Sequence, residues 1–139
     1  MFIRFWGVRG SLATAITARQ VEDKIRRVLE LASPADLLSK EAIENFISNL
    51  PLSIRGTYGG NTTCVEIQTS DNKTIVIDAG TGLRALGNAL MARGKMTGKD
   101  DMAFFFTHSH WDHIQGLMFF VPVFIPGNKL NFYSCFPDI

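Results

Sequence analysis

Histidine is scarce in this chain: 139 residues hold three, and two cysteines. No apolar stretch approaches the roughly 18 residues that a membrane-spanning helix needs. The longest, LMFFVPVFIP at 117–126, is short and interrupted by Pro122. Neither sign of charge dominates, since 14 Lys and Arg face 13 Asp and Glu for a net charge of +1. That leaves no strong field for nucleic acid or an anionic membrane, although a nucleic-acid substrate stays open. The N-terminal MFIRFWGVRGS lacks a secretory leader's pattern, because its apolar stretch is short and carries Arg4. Cys64 and Cys135 are therefore read as reduced, buried thiols of a cytoplasmic protein with no membrane partner. What is present suits a folded domain: 46% hydrophobic and 19% charged residues leave little room for disorder. The length fits one domain.

The apolar pattern changes period several times. FIRFW at 2–6 alternates like a strand, and GVRGS at 7–11 reads as a loop. Val21, Ile25, Val28, Leu29 and Ala32 predict a helix over 18–32 with one apolar stripe. Ser33 can cap and Pro34 suits a first helical position; Ala42, Ile43, Phe46, Ile47 and Leu50 then mark a second amphipathic stretch, closed by Pro51. RGTYGGN at 55–61 is a loop. TTCVEIQ at 62–68 and TIVID at 74–78 flank the turn SDNK and predict a hairpin. GTG at 80–82 precedes a helix over 83–93, with Gly80 and Gly82 permitting a tight turn. MAFFF at 102–106 reads as a fully buried strand, and KLNFYS at 129–134 as a last strand. Phe119, Phe120 and Phe124 are expected in the core, and Trp111 as a packing residue. The helical pair at 17–54 interrupts a run of strands and is expected to be an insertion.

All three histidines fall in THSHWDH, 107–113, just past the MAFFF strand. In extended backbone residues i and i+2 point the same way, so His108 and His110 can reach one metal ion. Asp112 and His113 follow where the chain must turn, and can serve a second ion nearby. Imidazole nitrogen and carboxylate oxygen suit zinc, and also iron or manganese. Packing alone explains the cluster poorly, because buried ionisable groups cost several kcal/mol unless paired or metal-bound. A pH-sensing histidine cluster is the alternative.

THSHWDHIQG resembles the signature of the metallo-β-lactamase superfamily of metal-dependent hydrolases. FWGVRGS at 5–11, YGGNTTCVEI at 58–67 and IDAGTGLRALG at 77–87 resemble the N-terminal half of a subgroup near its phosphodiesterase and tRNA-processing nuclease branches. The resemblance implies an α+β fold, a four-layer αββα sandwich with two divalent metal ions, zinc before iron or manganese, at one edge of its sheets. It implies His108 and His110 on the first ion and Asp112 and His113 on the second. A hydroxide between the ions would be the nucleophile, generated at neutral pH because zinc lowers the pKa of bound water to about 7. Asp112 would be the catalytic residue, orienting the nucleophile or passing a proton to the leaving group. Asp78 would accept hydrogen bonds that fix the histidine loop. Arg9, through its fork of donors, and Asn61 and Thr62 at the mouth of the site are candidates for substrate contact. Each of these three residues is equally consistent with a surface or turn role.

Such a site needs more ligands than the chain carries: a third histidine for the first ion, a bridging aspartate, and another histidine for the second. After His113 there is no histidine, and the one later acid is Asp138. The expectation is therefore that residues 1–139 are the N-terminal portion of one hydrolase domain. On this reading a missing C-terminal half or a homodimer would complete it, and the chain alone would be inactive with unusual exposed apolar surface. The expected activity of the complete domain is hydrolysis of a small-molecule or nucleotide phosphodiester. Two other readings stand beside it: an iron-dependent sulfur oxygenase or oxidoreductase on the same fold, and a non-catalytic half-domain. β-Lactam hydrolysis is not expected of a cytoplasmic protein.

Overall fold

Five strands make one sheet, in the order of the sequence. A computed structural model of the chain describes residues 1–135. Strands β1 (Phe2–Gly7), β2 (Cys64–Gln68) and β3 (Thr74–Ile77) pair antiparallel. Strands β3, β4 (Asp101–Phe106) and β5 (Lys129–Ser134) pair parallel. Parallel neighbours need a crossover, and between β3 and β4 helix α4 (Gly82–Ala92) supplies it. The hairpin expected over 62–78 is the β2–β3 pair.

One face of this sheet is closed. Cys64, Glu66, Val76, Met102, Phe104 and Phe106 alternate inward and are buried beneath α4 and the segment after the histidines. Leu83, Leu86 and Leu90 recur at helical spacing on α4 and are fully buried with them. Phe120 completes this core, its ring edge-on to Phe104 at 5.8 Å. It also lies against Gly87, where an added Cβ would come within 2.8 Å of the Phe120 ring. Glu66 is buried without orphaned charge: Trp6 Nε1 donates to it at 2.9 Å, Arg93 at 3.0 Å and Arg4 at 3.3 Å.

The other face is open. The register aligns Ile3, Ile67, Ile75 and Ala103 in one row, and Phe5, Val65, Ile77, Phe105 and Tyr133 in the next. Phe5 is 67% exposed and Phe105 43%. Strand β4 is therefore half-buried rather than fully buried, as a continuous apolar run had suggested. The run is apolar on both faces, and among residues 1–14 and 59–135 nothing buries Phe105 on the second. Phe119 and Phe124 also depart from the expected core and are exposed, because the chain from 115 to 124 runs as two short 3₁₀ turns, Gln115–Phe119 and Val121–Phe124. Only part of such a turn can face inward, and Phe120 and Pro122 take those places. Both cysteines are free, but only Cys64 is buried; Cys135, just past β5, is exposed.

The chain leaves this unit after Thr14 and returns at Gly59; residues 15–58 form a second, helical unit. It comprises α1 (Ala18–Leu31), a 3₁₀ turn (Pro34–Leu37), α2 (Lys40–Asn49) and the single turn α3 (Leu52–Arg55). Thr17 and Gln20 form a capping box that starts α1, and the Ser39 hydroxyl caps α2. No helix among the described residues is long and apolar enough to cross a membrane.

Candidate metal centre

The parallel β4 delivers its last residue, Phe106, into the core and releases the chain at Thr107. Four residues later the chain turns into α5 (Trp111–Ile114), whose first turn carries Asp112 and His113. The loop between is short enough to bring His108 and His110 beside His113. The His108 ring centre lies 4.5 Å from that of His110 and 3.9 Å from that of His113.

Asp78 holds this loop from below. It sits past the end of β3 at a φ of 58°, a left-handed conformation that aspartate tolerates better than most residues. Its carboxylate is 3% exposed. It accepts the Thr107 backbone N–H at 2.9 Å and the Thr107 hydroxyl at 3.0 Å. It also meets His113 Nδ1 at 2.8 Å. An Nδ1–H donated to a buried carboxylate leaves Nε2 as the lone-pair nitrogen. That Nε2 faces Asp112 Oδ2 at 3.4 Å. Two acceptors facing each other repel unless a proton or cation stands between them.

Asp112 is itself fixed. It is 8% exposed, and its Oδ2 accepts the Ser11 backbone N–H at 2.8 Å. Burial pushes the Asp112 carboxyl pKa up, but hydrogen bonds from the Ser11 and Asp112 N–H groups and the nearby His113 and His110 outweigh it. The net shift is downward, so Asp112 is a carboxylate at neutral pH.

Close backbone packing sets these distances. Ala79 N–H donates to the His113 carbonyl at 2.6 Å, and Gly116 N–H returns to the Ala79 carbonyl at 2.8 Å. A Cβ at Gly116 would lie 1.9 Å from the Gly80 oxygen, and one at Gly80 would lie 2.4 Å from the Asp112 oxygen. A Cβ at Gly82 would meet the Trp6 carbonyl at 2.7 Å. Gly80 does open a tight turn, Leu83 N–H donating to its carbonyl at 2.9 Å, and both glycines also serve as contact points where two backbones touch.

The other sequence candidates lie around loop 7–11. Arg9 is exposed, and its backbone N–H donates to the Asn61 carbonyl at 2.9 Å. Asn61 accepts from the Thr81 hydroxyl at 3.3 Å and borders a cavity of about 250 Å³ with Thr81, Arg84, Ala85 and Asn88. Thr62 is fully buried, its hydroxyl accepting Thr81 N–H at 2.8 Å while its N–H donates to Thr81 Oγ1 at 2.9 Å. The geometry thus brings together His108, His110, Asp112, His113 and Asp78, while Thr62 exposes no atom to a ligand. Trp111 is 66% exposed rather than packed. Asp138 lies outside the described residues.

Sequence reasoning missed two contributors. Thr107 is the hub of the loop: its hydroxyl also lies 3.0 Å from His108 Nδ1 and 3.3 Å from His113 Nδ1. Its place directly before the first histidine was a usable signal. Ser11 acts through its backbone, at a φ of 59°, and no side-chain pattern announces that.

The donor set fits a divalent ion in kind, with imidazole nitrogens and an ionised carboxylate on one loop. It falls short in number: among the described residues no group of three or more His, Cys, Asp or Glu side chains is arranged to hold an ion. The fold and this loop define a chain with the elements of a metal-dependent hydrolase. The family model of the metallo-beta-lactamase superfamily matches residues 57–129, more than half of the chain, and the chain belongs to that superfamily. The five-stranded mixed sheet fits that fold. Comparison with curated proteins and with solved structures gave no match.

Proposed function

We propose that this chain carries the first half of a dinuclear, most readily zinc-binding, hydrolytic centre acting on phosphodiester bonds. The observation that carries the reading is the arrangement at 107–113. Three imidazoles and an ionised carboxylate share one loop, and a buried aspartate sets the orientation of one of them. His108 and His110 would hold one ion, Asp112 and His113 the other. When bound, the ions supply Lewis acidity toward a phosphoryl oxygen and make water a stronger acid.

The chain's own residues do the rest. Asp78, through Thr107 and His113 Nδ1, holds the imidazole so that Nε2 keeps its lone pair for an ion. Ser11 N–H occupies one lobe of Asp112 Oδ2, keeping that carboxylate pointed at His113. Asp112 orients the attacking water and carries a proton toward the leaving oxygen. Arg9 and Asn61, at the neighbouring loop edge, offer donors to the phosphate; Thr62 shapes that edge through Thr81. The remaining ligands come from further polypeptide or from a second chain, which packs on the open sheet face and covers its two apolar rows.

The test is made on the assembly in which a second sheet covers that face. Alanine at Asp112 is expected to lower hydrolysis of an activated phosphodiester by at least about 10²-fold, the usual scale for a lost acid–base group. An unchanged rate overturns the role of Asp112. Iron in place of zinc, with oxygen uptake instead of hydrolysis, overturns the reaction class.

A further inference from the structure

The helical unit has an apolar face that its own residues do not close. Helix α1 spans 14 residues and buries none of them. Its stripe remains open, with Ile25 55% exposed and Leu29 67%. Between α1, the end of α2 and α3 lies a groove of about 330 Å³. Its floor is aliphatic: Val21, Ile25, Val28, Leu29, Ile47 and Leu50. The polar residues along it are Lys24 and Arg55, both cationic. The six acidic residues of 15–58, Glu22, Asp23, Glu30, Asp36, Glu41 and Glu44, all lie off the groove.

We propose that this groove seats an amphipathic helix of a partner protein, with acidic residues flanking its apolar anchors. The dimensions suit such a guest. From Val21 to Leu29 α1 rises about 12 Å, slightly more than two helical turns, so a docked helix would place anchors at i, i+4 and i+7 along it. A small apolar ligand suits it less well, because such ligands are typically buried by 70–90% and two of the groove's wall residues, Ile25 and Leu29, are 55% and 67% exposed. Charge selects the flanks: a guest with glutamates meets Lys24 and Arg55, and one with lysines meets like charge as it is desolvated. Lys24 is already held in place, its Nζ donating to the Ser53 carbonyl at 2.5 Å and the Gly56 carbonyl at 2.7 Å. The cation therefore stays at the groove edge without a guest to order it.

The experiment uses residues 1–139 and two synthetic 18-residue helical peptides labelled with a fluorophore. Both carry leucines at i, i+4 and i+7; one has glutamates beside them and the other lysines at the same positions. Anisotropy should show saturable binding of the glutamate peptide, at least about tenfold tighter than the lysine peptide. Arg55→Glu should shrink or reverse that preference, and Ile25→Asp should abolish binding, with circular dichroism confirming that the helices persist. Equal binding of both peptides overturns the proposal, as does no saturable binding. So does binding that survives Ile25→Asp but is lost on Phe105→Asp, which would place the peptide on the open sheet face. Concentration-dependent dimerisation abolished by Ile25→Asp overturns it in favour of a second copy as occupant. None of these readouts depends on the metal reading.

Discussion

Asp78 and Asp112 hold opposite ends of His113 and do different work. Asp78 is buried and acts through Thr107 and Nδ1, so Asp78→Asn should weaken zinc affinity about 10–100-fold while leaving the ligand set intact. A zinc competition titration reads this directly, and unchanged affinity would show that Asp78 only makes a turn. Asp112 is held ionised despite its burial. A carboxyl with a lowered folded-state pKa stabilises the fold above its unfolded value and loses that contribution as pH falls through the lower folded value. The stability difference between the chain and Asp112→Asn should therefore shrink as pH falls below about 5, through the unfolded value near 3.9 and on to the lower folded value. Denaturant unfolding from pH 7 to pH 2 checks this. Gly116 is a steric constraint rather than a flexible hinge. Gly116→Ala drives a Cβ into the Gly80 carbonyl and should cost about 3 kcal/mol, read as a drop in denaturation midpoint.

Strand β4 shows what periodicity reveals and what it hides. Its place was legible in MAFFF to within one residue, because an apolar run ending in a polar turn has few other uses. Its burial was not: Phe104 and Phe106 face α4 and Phe120, whereas Phe105 stacks on Tyr133 at 4.9 Å on the open face. Phe104→Ala should cost about 3–5 kcal/mol and Phe105→Ala much less, within about 1 kcal/mol in the isolated chain. Equal costs, measured by urea unfolding, would mean that something covers the second face in solution. The helices were legible from their apolar stripes, whereas the residues that cap them, Thr17 and Ser39, were not singled out, and Ser33 precedes a 3₁₀ turn rather than a helix. The 115–124 stretch was not, because an apolar sequence around Pro122 does not say which residues a 3₁₀ turn will bury.

For the chain taken entire, the candidate centre was more legible than the surfaces around it. Three histidines confined to one window mark the chemistry in any reading of the sequence, and the geometry gathers all three beside Asp112. Backbone contributions left no such trace: Ser11 N–H, and the contacts between the 78–80 and 113–116 segments, are consequences of tertiary packing. Exposed apolar surface follows from the open sheet face. The isolated chain should bind a hydrophobic dye such as ANS, and a form in which a second sheet covers Phe5 and Phe105 should bind less of it. The most direct experiment remains calorimetric titration of the chelator-free chain with zinc, beside the double variant His108→Ala/His110→Ala. Saturable binding to the chain, weakened at least about tenfold by the double substitution, would place the ion on the histidine loop. Saturable binding with identical heats for the two proteins would contradict a metal centre at 108–113.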